Sequence, residues 1–207
     1  DEIFVSEYGV VERVQKFGLS TQSPSPTVQG SSLALSGENG GRDERVPGAV
    51  FLRAFGHPGN EPSEFNRPEG LCVDLLDRVY VADSCNHRIQ VFSSDGKLLR
   101  VYGKPGKRKG ELSYPYDICA DGSARQFVCE FGNSRIQVFD ANGQSIEIIG
   151  GPGAEPGHFN NPWGVALDSH GNLYVADSQN HRVQKLVRSA RLGKTDVSSA
   201  VGSQKSK

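Results

Sequence analysis

Carboxylates and arginines recur at fixed spacing along this chain, and the spacing limits the chemistry they can do. Asp83, Glu130 and Asp177 each stand five residues before an arginine: Arg88, Arg135 and Arg182. With a turn between them, each acid faces its arginine across a hairpin and forms a charge-assisted pair that fixes register. A catalytic carboxylate would have to be singular, whereas these are repeated, so they read as framework. Asn86, Asn133 and Asn180 recur inside the same turns, where Asn tolerates the left-handed conformation. His87 and His181 are candidate metal ligands, but Ser134 interrupts their series. Zinc ligands converge to about 2.1 Å from the ion, and hairpins two repeats apart do not converge. His57 and His158 fall in connections, and His170 falls in a turn on the opposite side. No metal and no other cofactor is expected.

Cys72 and Cys119 share one position of the repeat with Ala166, and Cys129 shares another with Ala82 and Ala176. Thiols in such places act as small hydrophobes. A Cys119–Cys129 disulfide stays open, Cys85 falls in a turn, and the cysteine pattern does not settle a compartment.

Positions that change between repeats are the candidates for recognition. Flanking Pro68, Pro115 and Pro162 stand Arg67 and Glu69, then Tyr114 and Tyr116, then Asn161 and Trp163. These are candidate ligand-binding residues, since Tyr, Trp and Arg are enriched at binding hot spots. Packing of Tyr116 and Trp163 between structural units is the competing reading. Lys104, Lys107, Arg108 and Lys109 form a basic cluster in one connection, while the matching connections carry acids. No continuous basic face follows, and nucleic acid is not an expected partner.

The elements that must position these residues come from an internal repeat. Residues 65–103, 112–150 and 159–189 align without a gap, and Pro68, Pro115 and Pro162 hold a step of 47. Residues 2–17 are a damaged copy, with Glu7 and Arg13 in the places of Asp83 and Arg88 and one extra residue between them. Its continuation FLRAFG, at 51–56, matches LLRVYG at 98–103. Each unit holds four short runs rich in Val, Ile, Phe and Tyr, with Asp95-Gly96 and Asn142-Gly143 marking hairpins. Four strands per 40–50 residues is the blade of a β-propeller.

YVADSCNHRIQVF and YVADSQNHRVQKL, preceded by FNRPEG and FNNPWG, resemble the signature of the NHL-repeat family. The resemblance covers residues 51–189 well and 2–17 weakly. It implies an all-β fold: a β-propeller of four-stranded antiparallel blades. Six-bladed rings, the usual form, would need roughly 280 residues at this period. An incomplete or open ring of three to four blades is therefore expected, as a truncation or with a second copy or partner completing it.

Domain boundaries follow from the repeat. Residues 1–17 are a partial first blade, 18–47 a flexible Ser/Gly/Pro-rich insertion, and 48–64 the end of that blade with its connection. Residues 65–111 and 112–158 are blades. Residues 159–190 are a last blade whose closing strand is missing or unclear, and 191–207 a disordered tail, in which Val197–Val201 is a candidate closing strand.

The net charge is −1 with a pI near 6.6, which argues against a general nucleic-acid or membrane-surface binder. No apolar run of eighteen residues exists, so no membrane span is expected and the chain reads as soluble. No signal peptide is visible, a targeting segment could lie upstream, and localisation stays open.

The family resemblance implies protein- and RNA-binding platforms, sensors and some enzymes. The reading preferred on the residues is a non-enzymatic scaffold binding a protein or small ligand on the face formed by the inter-blade loops. Self-association through exposed blade edges is a further possibility. The alternatives are a fragment of a propeller enzyme, either a metal-dependent lyase or a lactonase-like hydrolase, and a truncated product without independent function. Glu69 and Asp117 are the only acids near the start of the innermost strands, fewer than a channel metal site requires.

Overall fold

The computed structural model describes residues 2–19, 49–188 and 195–197. Short β-rich runs separated by turn residues fold as consecutive antiparallel sheets. The first contains β1 (Glu2–Glu7), β2 (Arg13–Leu19) and β3 (Ala49–Phe55). A short parallel pair, β4 (His57–Pro58) and β5 (Glu64–Phe65), leads onward. The second blade is β6 (Pro68–Val73), β7 (Val79–Asp83), β8 (Arg88–Phe92) and β9 (Leu98–Tyr102). The third is β10 (Pro115–Ala120), β11 (Gln126–Glu130), β12 (Arg135–Phe139) and β13 (Ser145–Ile149). The fourth is β14 (Gly164–Leu167), β15 (Leu173–Asp177), β16 (Arg182–Arg188) and β17 (Thr195–Val197). Within each sheet, spatial order follows chain order.

The inserted and tail stretches fall largely outside the described residues. β2 extends through Leu19, and Thr195–Val197 pairs with Leu186–Arg188 as the closing strand of the fourth blade. That strand therefore lies inside the stretch assigned to the tail. It overlaps the Val197–Val201 candidate at Val197 and starts two residues earlier, because β16 runs on to Arg188 and its antiparallel partner must return from there.

The turns obey local sequence chemistry. Gly96 and Gly143 adopt φ of 82° and 78°, closing the hairpins between third and fourth strands. A Cβ on either would meet the ring of Phe55 or Tyr102 at 2.9 or 2.8 Å, so glycine is required by conformation and by space together.

Hydrophobic clusters lie between blades rather than within them. Val14, Phe65, Val79, Val81 and Phe92 join the first and second blades. Tyr80, Ile89, Leu112, Ile118 and Phe139 join the second and third. Phe127, Ile136, Phe159, Val175 and Leu186 join the third and fourth. Phe65, Leu112 and Phe159 hold the same repeat position and are fully buried, plugging the three junctions in turn. The innermost strands β6, β10 and β14 consequently lie side by side.

Candidate functional site

Each blade carries a polar cluster built from the recurring acid. Asp83 faces Arg88 across the β7–β8 ladder at 2.6 Å, Glu130 faces Arg135 at 2.5 Å, and Asp177 faces Arg182 at 2.7 Å. The damaged copy keeps the pair, Glu7–Arg13, at 2.8 Å. The arginines reach further, onto carbonyls of the preceding connection: Arg135 donates to Lys107 O at 2.6 Å and Glu111 O at 3.0 Å. Gln90, Gln137 and Gln184 complete the cluster. Gln137 Nε2 donates to Glu130 and to Glu111 O, and its Oε1 accepts from Gly110 N. Burial pushes the Glu130 carboxyl above its usual range despite the adjacent Arg135. These groups staple each blade to the connection before it.

The asparagines work differently from the sequence expectation. The left-handed residue of the hairpin is the next one, with φ of 53° at His87, 50° at Ser134 and 53° at His181. Asn86, Asn133 and Asn180 instead donate from Nδ2 both to the acid and to Gly59, Gly106 or Gly153 O. The side-chain amide bridges two segments, a demand that short polar groups meet better than the backbone does. His87 is likewise occupied: its Nδ1 accepts from Tyr114 N at 3.0 Å and its ring meets that of Tyr114 edge-on at 4.5 Å. Partial burial lowers its pKa. Among the described residues, no group of three or more His, Cys, Asp or Glu is placed to hold a metal, and all four cysteines are free thiols.

The variable residues beside the entering prolines form a row. Arg67 forms an ion pair with Glu69, and its guanidinium lies 5.6 Å from the Tyr8 ring centroid and 5.2 Å from that of Tyr116. Tyr116 stacks on Phe131 at 4.4 Å with the planes 19° apart. Trp163 closes the row edge-on, 5.0 Å from Tyr116 and 6.0 Å from Phe131. Aromatic and cation contacts of this geometry each contribute about 0.5–1.5 kcal/mol, so the row is pre-organised. Tyr116 is 9% exposed and serves as its floor, while Trp163 is 51% exposed and Tyr8 57%. The packing and exposed readings thus divide between the two residues.

Four of the six sequence candidates, Arg67, Glu69, Tyr116 and Trp163, come together here. Tyr114 turns to His87, and Asn161 Nδ2 donates to Phe131 O at 3.0 Å, supporting the row from behind. Arg67, Tyr114 and Asn161 share a left-handed φ of 62°, 47° and 47° before their prolines. Tyr8, Glu12 and Phe131 were not anticipated. Glu12 accepts from Arg67 N at 2.6 Å. The signal for Tyr8 and Phe131 was present, since Ser84 and Ser178 occupy the equivalent places.

Deeper toward the innermost strands, Asp117 occupies the place held by Gly70 and Gly164 in neighbouring blades. Its oxygens accept from Ile118 N at 2.9 Å and Val165 N at 2.8 Å, tying the third blade to the fourth. Burial raises its pKa. Among the described residues, no helix is long and apolar enough to cross a membrane.

Four-stranded antiparallel blades packed through their innermost strands, under a face of inter-blade connections, define a β-propeller. The NHL repeat profile matches residues 65–92 and 159–186, so the second and fourth blades carry NHL repeats. It is 36% identical to Protein lin-41 of Caenorhabditis elegans over 72 residues, which is 35% of this chain and 6% of that protein. It is 40% identical to the E3 ubiquitin-protein ligase TRIM32 of Mus musculus over 74 residues, 36% of this chain and 10% of that protein. The chain thus spans only a small part of these relatives. Among solved structures, the crystal structure of a Nidogen/Laminin complex superposes with a TM-score of 0.57 at 17% identity, covering 89% of this chain and 56% of that one. This last likeness concerns the fold alone.

Proposed function

We propose that this chain is a non-enzymatic scaffold, and that the row Arg67–Tyr116–Trp163 with Tyr8 and Phe131 is where it binds a partner protein or small ligand. The observation that carries the reading is the half-exposed Trp163 held on a buried Tyr116–Phe131 stack. A rigid aromatic on a fixed floor presents apolar area with little ordering cost on binding. The carboxylates nearby favour a scaffold over an enzyme: Glu69 is engaged by Arg67, and Asp117 by two backbone N–H groups.

Trp163 is the chain's single tryptophan, so its emission reports the site directly. Proteins retained by the chain are compared with those retained by Trp163→Ala and by Lys97→Ala, an exposed substitution on a distant hairpin. A partner held by the chain and the Lys97 variant, lost on Trp163→Ala, and shifting Trp163 emission when purified supports the reading. Identical retention by all three, with circular dichroism unchanged, would refute it.

A further inference from the structure

The blades pack in chain order, so the first and the fourth each turn one face away from the others. The first junction shows what such faces are built to meet. There the first blade presents Phe4 and Val14, with Lys16 laid over Phe4 at 5.5 Å. The second blade receives them with Val79, Val81, Phe92 and Leu98. On the outward face of the fourth blade, Tyr174, Val183 and Lys185 stand at the places of Phe4, Val14 and Lys16. Lys185 again lies over its ring, 5.2 Å from the Tyr174 centroid. Lys16 is paired with Glu2 and Lys185 with Asp168, so each lysine carries its own counter-charge. Val14 is fully buried at the junction, whereas Val183 is 63% exposed.

The outward face of the first blade carries the receiving set. Ile3, Val5, Phe17 and Phe51 stand at the places of Val79, Val81, Phe92 and Leu98. Val79, Val81 and Phe92 are fully buried, while Ile3, Val5 and Phe51 are exposed. Phe17 and Phe51 meet edge-on at 5.8 Å, which orders this apolar face. A repeat left to solvent on one side ordinarily turns a polar face outward, and this one does not. The same face also carries a clasp. In the second blade Arg88 and Gln90 donate to carbonyls of the preceding connection, Arg88 to Asn60 O and Gln90 to Glu64 O. In the first blade Arg13 and Gln15 are held by Glu7 in the same way, at 2.8 and 2.6 Å, but among the described residues they hold no carbonyl. The Arg13 side chain is accordingly 38% exposed.

We propose that the outward face of the first blade is a docking surface for a second copy of this chain, which seats its fourth blade there as the first blade seats on the second. The second copy is singled out because the same chain supplies the matching set, compensated lysine included. Arg13 and Gln15 then take carbonyls of the incoming copy. The contact is heterologous, since a face of one kind meets a face of the other, and it continues from copy to copy unless a ring closes. It lies on the flat faces of the blades, apart from the aromatic row on the loop face.

Light scattering of the unmodified chain should give a mass above the 22.4 kDa protomer, rising with concentration or settling at two copies. Val5→Glu alters the receiving face and Val183→Glu the presenting face, both at exposed positions. Each variant alone should stay at the protomer mass. Mixed, they should form a one-to-one pair, because each keeps the face that the other has lost. That recovery also shows that both are folded. Leu75→Glu, on an exposed turn outside both faces, should associate as the parent does. Protomer mass for the unmodified chain at every concentration would overturn the proposal. So would association of either variant by itself, a mixture that stays at the protomer mass, or loss of association in Leu75→Glu.

Discussion

Replacing Arg135 by alanine tests whether the recurring clusters hold the blades together. The Glu130 side chain is fully buried and that of Arg135 is 9% exposed, so the pair is shielded from water. Arg135→Ala removes the guanidinium from Glu130 and strips donors from Lys107, Arg108 and Glu111 carbonyls. Breaking a buried pair from one side costs about 3–5 kcal/mol, because the remaining charge stays buried without compensation. Ser113 N, Asn133 and Gln137 still donate to Glu130, which places the expectation toward 3 kcal/mol. In urea, with a slope of roughly 2 kcal/mol per molar, the midpoint should fall by about 1.5 M.

Arg182 supplies the internal control: its side chain is 27% exposed, and Arg182→Ala should cost clearly less. The loss at Arg135 also has a pH signature. Burial already raises the Glu130 pKa above its unfolded value, and removing Arg135 raises it further. The variant therefore binds its proton in the folded state over a wider range, so its deficit should shrink as pH falls toward 4 and grow as pH rises to 7. Urea titrations followed by circular dichroism at both pH values measure this. A midpoint shift below about 0.3 M at pH 7, or a larger effect at Arg182, would refute the reasoning.

Two other perturbations separate local from tertiary causes. Asp117 has a raised folded pKa through burial, so its contribution to stability is greatest below the usual carboxylate value and declines as pH rises through the folded one. The stability of Asp117→Asn minus that of the parent should therefore increase from pH 3 to pH 7, whatever the offset at low pH; chemical denaturation across that range checks it, and a gap that stays flat or narrows contradicts it. Gly143→Ala should destabilise by about 1–3 kcal/mol in thermal unfolding, because its φ is 78° and the new methyl would meet the Tyr102 ring. An unchanged melting temperature would show that the hairpin yields.

Much of the architecture was legible because a 47-residue repeat writes the blade several times over. The alternation of apolar residues, the Asp-Gly and Asn-Gly turns and the acid–arginine spacing are local properties, and local sterics with strand pairing turn them into four-stranded sheets. The same repetition separated framework from variation: Asp83 and Arg88 recur and pair with the acid fully buried, while Arg67, Tyr116 and Trp163 vary and meet at one surface. Reading only the flanks of the prolines missed Phe131 and Tyr8, which vary at a position one turn away. The asparagine role was misassigned because the left-handed residue of a hairpin depends on backbone geometry that composition leaves degenerate.

Tertiary structure alone decided the rest. The row from Tyr8 to Trp163 joins residues of four blades, and no spacing along the chain says which rings face one another once the blades rotate about a common axis. The sequence by itself determined the unit and its repetition, through short-range conformational preference. Packing between units determined the aromatic row, because that depends on distances that the chain's own connectivity does not constrain.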